Sequence, residues 1–384
     1  MLLLPFFKLM ADKSASDIFF TAHAPAQIKI EGVTLPVNDK ALTPEQVKTL
    51  VYSLMDEEEI AEYEREFEMN FARQVDDLGN FRVNIFRQKG QPAMVIRRIA
   101  PTIPSLEKLN LPAMLKPLIM EKRGLIIVVG ATGSGKSSTV AALLEHRNQS
   151  KSGHILTVED PIEFLFEHRK SIVNQREIGI DTKSYQTALK NAMREAPEVL
   201  MIGEIRDAET LMYAINYAQS GHLCITTLHA NNSYHMLNRV ISFFPPDNRT
   251  ALLMDLSVSL KAVVSQRLVP TVDKTLTPAV ELLLNTTHIA ELIRTGEISS
   301  IKEAIEHSMS EGAQTFEQSL FRLYRDGKIT LDEALRNADS PTNLYWLINH
   351  GHDKPGEEPA GKPAAAKPAG KDASASFDGF TLDV

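Results

Sequence analysis

The chain has 384 residues, 43% of them hydrophobic, a formal net charge of −8 and one cysteine. That length exceeds one ordinary core and predicts two domains or more, while a lone Cys224 excludes an intrachain disulfide and any C-x-x-C zinc module and fits a reducing cytoplasm. No run approaches the roughly 18–20 apolar residues of a membrane span, and no basic clusters or basic–aromatic interleaving announce a nucleic-acid surface.

No basic residue precedes the opening Met1-Leu-Leu-Leu-Pro-Phe-Phe and no small-residue cleavage site follows it, so it reads as the start of a packed amphipathic helix rather than a signal peptide. From Ser16 to about Ala100 the pattern is α+β. Asp17-Ile-Phe-Phe-Thr and Gln27-Ile-Lys-Ile-Glu read as strands. Thr43-Pro44-Glu45-Gln46 supplies an N-cap, a first-turn proline and a capping-box glutamine for a helix to about Met55, and a second helix runs from Glu57 to Glu66. Three strands follow, Phe67 to Val75, Asn80 to Gln88 and Ala93 to Ile99, with turns at Asp77–Asn80 and Lys89-Gly90. Arg82, Arg87, Arg97 and Arg98 recur on the last two. Alone they read as a solvated strand face; opposite a nucleotide they would supply positive charge. Residues 1–100 thus form one domain, and the proline-punctuated 101–117 reads as a linker.

Gly124 to Ser138 organises residues 118–350. An apolar strand stops at Gly130, passes through Ala131-Thr132-Gly133-Ser134-Gly135-Lys136-Ser137 and enters a helix at Ser138, a P-loop in the strand–turn–helix setting it requires. Gly130, Gly133 and Gly135 permit the backbone that aims N–H groups at phosphate, Lys136 reaches the β- and γ-phosphates, and the helix N-terminus adds its dipole. The Ser137 hydroxyl is placed for Mg²⁺, so ATP and Mg²⁺ are the expected ligands. His154 to Asp160 is a strand ending in acids, and Glu159, Asp160 and Glu163 cluster at its carboxyl end, where open α/β sheets hold ligands; they are candidates for Mg²⁺ or its waters. A helix with apolar positions from Tyr185 to Ala196 follows, then the buried strand Val199–Ile202 delivering Glu204, a helix capped by Asp207, and a strand from Leu223 flanked by His222 and His229. Glu204 is the candidate to orient and partly deprotonate the attacking water, and His229 and His222 could hydrogen-bond the γ-phosphate. Alternating strands and helices predict a mostly parallel sheet covered on both faces. Beyond Pro245-Pro246 the chain reads as mainly helical to His350, and 351–384, rich in proline, glycine, alanine and lysine, as a disordered tail.

Four ordered segments, Gly130 to Ser137, Thr157-Val-Glu-Asp-Pro-Ile-Glu-Phe, Met201-Ile-Gly-Glu-Ile-Arg-Asp-Ala-Glu-Thr and Gly221-His-Leu-Cys-Ile-Thr-Thr-Leu-His-Ala, resemble the Walker A, Asp-box, Walker B and His-box motifs of the type II/IV secretion ATPases. Gly79-Asn-Phe-Arg-Val-Asn, Gln314-Thr-Phe-Glu-Gln-Ser-Leu and Glu333-Ala-Leu-Arg-Asn-Ala-Asp-Ser are similar to the type IV pilus retraction branch, PilT and PilU. The resemblance, over roughly residues 5–350, implies a PAS-like N-terminal α+β domain and a RecA-like α/β motor in a homohexameric cytoplasmic ring, with arginines such as Arg82, Arg97 and Arg98 reaching in from a neighbour. It implies Glu204 as the catalytic glutamate and pilin removal at a membrane-embedded platform protein, with membrane association only through partners. The retraction motor's Ala-Ile-Arg-Asn-Leu-Ile-Arg-Glu is matched here at Ile289, Leu292, Ile293 and Arg294 but not at Ala290, Glu291 and Thr295. That departure favours the PilU side and a role assisting a PilT-like partner. The rivals are a pilus-assembly ATPase, which would carry a tetracysteine insert, a nucleotide-gated structural ring and a nucleic-acid translocase.

Overall fold

The structure, a computed structural model, describes residues 2–350 apart from 31, 76, 100 and 101, so the expectation for 351–384 lies outside the described residues. The chain divides into two compact units, residues 2–102 with 163–165, and residues 103–162 with 166–350.

The N-terminal unit opens with helix α1 (Leu4–Asp12), then strands β1 (Asp17–Phe20), β2 (Gln27–Ile30) and β3 (Val33–Pro36), helices α2 (Pro44–Tyr52) and α3 (Glu57–Glu66), and strands β4 (Glu68–Val75), β5 (Gly79–Gln88) and β6 (Gln91–Arg98). All pairings in its sheet are antiparallel, in the order β3-β2-β1-β6-β5-β4. The capping box read from the sequence is formed, with Thr43 accepting from the Gln46 N–H and its own N–H donating to Gln46 Oε1. Phe81, Val83 and Ile85 alternate inward along β5 and pack with Phe6, Phe7 and Leu50. β3 was not expected, because Val33–Pro36 is a four-residue, largely exposed edge strand that ends in proline.

The second unit begins with residues that do not behave as a linker. Leu106, Leu111 and Leu115 are buried, and with Ile119 of α4 (Leu115–Ile119) they pack against Ile126 and Val128. β7 (Gly124–Val129), buried at every position, leads into α5 (Lys136–Ser150). There follow β8 (Gly153–Glu159), β9 (Ser171–Glu177), α6 (Tyr185–Ala192), β10 (Val199–Ile202), α7 (Ala208–Gln219), β11 (Leu223–Leu228), α8 (Ser233–Ser242) and α9 (Pro246–Ser259). Two long strands come next, β12 (Leu260–Pro270) and β13 (Leu276–Leu284), and then helices α10 (Thr287–Thr295), α11 (Ile301–Glu306), α12 (Phe316–Arg325), α13 (Leu331–Asn337) and α14 (Pro341–His350).

The sheet order is β13-β12-β7-β11-β10-β8-β9, parallel throughout except for β13. Alternate residues of β7 serve two cores: Leu125, Ile127 and Val129 face α6, α7 and α9, while Ile126 and Val128 face α4 and α5. The β12–β13 hairpin corrects the helical reading of 260–284. Both strands are buried nearly throughout, with Lys261, Ser265, Gln266, Arg267, Thr277 and Glu281 set irregularly among the apolar residues, so no sustained alternation of period two separates them from a core helix. α12–α14 close a satellite core around Val269, Phe316, Leu320 and Leu344.

Candidate functional site

Because β7, β11, β10 and β8 are parallel neighbours, their carboxyl ends share one edge of the sheet. That edge collects the P-loop after β7, His229 after β11, Glu204 after β10, and Glu159 with Asp160 at the end of β8. The juxtaposition read as strand tips in the sequence is therefore real in space.

The loop is built by close approach. Gly133 and Gly135 hold φ of 79° and 86°, and a Cβ on Gly130 would fall 2.3 Å from Ser134 Oγ and 2.6 Å from the Gln266 carbonyl oxygen. The Lys136 ammonium donates to the carbonyls of Gly130 and Ala131, each at 2.9 Å, which folds the side chain back over its own loop. Ala131, Thr132 and Gly133 are exposed, Ser134 is buried, and Ser137 and Ser138 are half-buried at the start of α5. On the far side of the loop, Gln266 of β12 donates to the Ser134 carbonyl at 2.8 Å and accepts from the Thr139 hydroxyl at 2.6 Å.

Glu159 is buried, and its Oε1 accepts from Thr157 Oγ1 at 2.6 Å and from Gln175 Nε2 at 3.1 Å. Glu204 sits one residue beyond Gly203. Its Oε2 lies 3.2 Å from His229 Nε2, and its Oε1 accepts from Arg206 Nε. Arg206 also reaches Asp160 Oδ2 at 3.3 Å, so one guanidinium holds two of the expected site acids. Its hydrogen bond with Glu204 raises its pKa further. The Tyr185 hydroxyl is buried against Gly203, and desolvation raises its pKa, with the Asp160 carboxylate adding to the shift.

One expectation is corrected by position. His222 lies at the amino end of β11, its carbonyl accepting from the Gly124 N–H at the start of β7 and its Nδ1 3.0 Å from Ser220 Oγ. A six-residue strand rising ~3.3 Å per residue separates it from His229 by about 20 Å, so it does not join the site. Glu163 groups with residues 163–165 in the N-terminal unit, and Glu159 and Asp160 lie at the end of β8 in the second unit. The N-terminal arginines are not equivalent either. Arg97 is held by the buried Asp17 at 2.8 Å, Arg82 lies directly across the β5–β6 pair from it, and Arg98, in register with Phe81, points to the opposite face.

The sequence reading missed Gln266, Thr139, Arg206 and Tyr185. Two signals were present: the polar triplet Ser265-Gln266-Arg267 set between Val263-Val264 and Leu268-Val269, and an arginine two residues after Glu204 in the same quoted motif. A second polar centre, also missed, lies beside the site. Glu281 Oε1 accepts from the Ser233 N–H, the Ser233 hydroxyl and the Ser265 hydroxyl, and burial pushes its pKa up in spite of them. Asn232 donates to Asp339 at 2.8 Å, and Arg267, stacked 3.9 Å over the Phe316 ring, pairs with the same aspartate. These contacts fasten the loop after His229 to β12 and to the C-terminal helices.

Among the described residues no set of three or more His, Cys, Asp or Glu side chains converges as a metal cage. A P-loop Mg²⁺ needs none, since one or two protein oxygens complement phosphates and water. The hard-oxygen set of Ser137, Glu159 and Asp160 fits it. No described helix is long and apolar enough to cross a membrane.

Comparison with known proteins agrees with this architecture. The type II/IV secretion system protein family matches residues 2–285. The type IV pilus ATPase PilU of Pseudomonas aeruginosa is 46% identical over 347 residues, covering 90% of this chain and 91% of that one. PilT of the same organism, a type IV pilus retraction ATPase, is 36% identical over 87% of this chain and 97% of its own. The crystal structure of the pilus retraction motor PilT with bound ADP superposes with a TM-score of 0.84 at 39% identity, over 90% of this chain and 99% of that one. The chain belongs to the type II/IV secretion system proteins, and within them to the type IV pilus ATPases.

Proposed function

We propose that this ATPase works as a homohexameric cytoplasmic ring at the inner face of the membrane, where it powers or assists type IV pilus retraction beside a PilT-like partner and a membrane platform protein. The observation that carries the reading is the convergence of Lys136, Glu159, Glu204 and His229 on one sheet edge, supported by 46% identity to a PilU and 36% to a PilT.

Phosphoryl transfer asks the protein to hold phosphates, neutralise charge and aim water. Loop N–H groups of Gly130 to Ser138 and the Lys136 ammonium bind the phosphates. Ser137, Glu159 and Asp160 would hold Mg²⁺ or its waters, and the ion would supply further neutralisation of phosphate charge. Glu204 orients a water and accepts its proton as the water oxygen bonds to the γ-phosphorus and ADP leaves. For that, Glu204 must exchange its Arg206 contact for the water, and His229 is placed to follow the change. Arg82, Arg97 and Arg98 of a neighbouring subunit are candidates to complete the charge, which would tie hydrolysis to assembly.

The test is imaging of fluorescent pili on cells lacking the gene, complemented with wild type or with Glu204→Gln. Pili that extend but retract rarely, unrescued by Glu204→Gln, support a retraction motor. Rescue by Glu204→Gln would instead make the ring a scaffold, and bald cells would make it an assembly ATPase.

A further inference from the structure

Gln266 is 3% exposed, and both ends of its carboxamide are engaged by the P-loop segment. Nε2 donates to the Ser134 carbonyl at 2.8 Å; Oε1 accepts from the Thr139 hydroxyl at 2.6 Å. One side chain from a strand far along the sequence thus ties the last residues of the loop to the first turn of α5. The geometry of the peptide bond gives this a direction. The Ser134 carbonyl and the Gly135 N–H share one planar trans unit and point opposite ways, so anchoring the carbonyl on β12 fixes that N–H toward the other side of the loop. Carbonyls out and amides in is the arrangement that makes a backbone nest for an anion.

The neighbourhood is shaped for this contact. A Cβ on Gly135 would lie 2.8 Å from Gln266 Nε2, and one on Gly130 2.6 Å from the Gln266 backbone oxygen. Two of the loop's glycines are therefore required by β12 as well as by phosphate. β12 is itself pinned on either side of Gln266, by Ser265 donating to Glu281 and by Arg267 pairing with Asp339.

We infer that Gln266 is a positioning residue for the nucleotide, pre-orienting the P-loop amides by holding the Ser134 carbonyl and acting through the loop rather than on the phosphates. The inference rests on the P-loop being the ATP site. Because the loop grips phosphate equally before and during hydrolysis, losing its anchor should weaken binding more than chemistry.

The experiment uses the full-length protein with ATP turnover and direct ADP binding. Gln266→Leu and Gln266→Met each remove both hydrogen bonds at similar size and add no charge beside the loop. In both, the KM for ATP and the Kd for ADP should rise together by about tenfold, the scale of one buried hydrogen bond left unmade, with kcat little changed. A lowered melting temperature with unchanged KM and Kd would mark a merely structural residue and overturn the inference, as would a loss confined to kcat. Should the leucine variant fail to fold, the unbranched methionine variant decides on the same readouts. Lys136→Ala, measured in parallel, separates the two levels: wild-type ADP affinity there would refute the ATP site itself.

Discussion

Replacing Gly203 with alanine tests the geometry of the candidate site where β10 meets β8. Gly203 follows the last residue of β10 and precedes Glu204, and a Cβ built there would lie 2.6 Å from the Tyr185 hydroxyl oxygen, 3.3 Å from Glu159 Cα and 3.3 Å from the Val158 carbonyl oxygen. The first contact is impossible and the other two are backbone atoms of β8. Tyr185 cannot simply swing away, because its ring packs on the core of α6 and α7. The strain should cost about 1–3 kcal/mol, as overpacking of a filled core does. It falls between the residues bearing Glu159 and Glu204, and a displacement approaching an ångström there should lower kcat by up to about a hundredfold. ADP affinity should hold, since the P-loop follows β7, two strands away from β10. Removing the offending oxygen with Tyr185→Phe should relieve most of the strain, leaving only the two 3.3 Å contacts. A double-mutant cycle in urea should therefore show a favourable coupling of about 1–2 kcal/mol, with turnover partly restored. Zero coupling, or a Gly203→Ala protein as stable and active as wild type, would refute the packing described for this edge.

Glu204→Gln should reduce steady-state ATP turnover by at least about a hundredfold, the scale of a lost general base, while ATP still binds in a filter or calorimetric assay. Lys136→Ala should abolish measurable ADP binding, and residual wild-type turnover would reject the P-loop assignment. His222→Ala should leave ADP affinity unchanged, because the side chain lies at the opposite edge of the sheet. Glu281 has a raised folded-state pKa, so between the unfolded value of about 4.3 and that raised value the folded protein binds the extra proton and stability falls as pH rises. Glu281→Gln, whose amide oxygen can still accept from Ser233 and Ser265, should flatten that dependence; denaturation midpoints across this pH range that decline as steeply as in wild type would contradict it.

The sequence made the local half of this site legible and left the non-local half unread. The P-loop could be read because its glycines, lysine and serine are consecutive and sit between a strand and a helix. Glu159, Glu204 and His229 could be read as strand tips, and parallel strands bring their tips to one edge. Gln266 and Arg206 could not be given roles, since their partners are set by which strand lies beside β7 and by how a guanidinium bends between two tips. His222 shows the limit from the other side: proximity to His229 in the motif suggested a shared role, but a strand carries its two ends to opposite edges. The β12–β13 hairpin was hidden for a different reason, because strands buried on both faces lose the polar alternation by which a sheet announces itself. In the N-terminal unit, by contrast, half-buried strands and capped helices kept their periods, and most of its elements were readable.

The position of β12 also dictates when the nucleotide site comes into being. β7 is flanked by β11 and β12, both translated after it, and the hydrogen bond from Gln266 to Ser134 spans 132 positions of chain. A nascent polypeptide that has just exposed its P-loop therefore has neither neighbour for the strand that carries it. Roughly 150 further residues must emerge before the hairpin is whole, a delay of about 8–30 s at ordinary elongation rates. During that interval the growing chain cannot capture ATP in the arrangement described above.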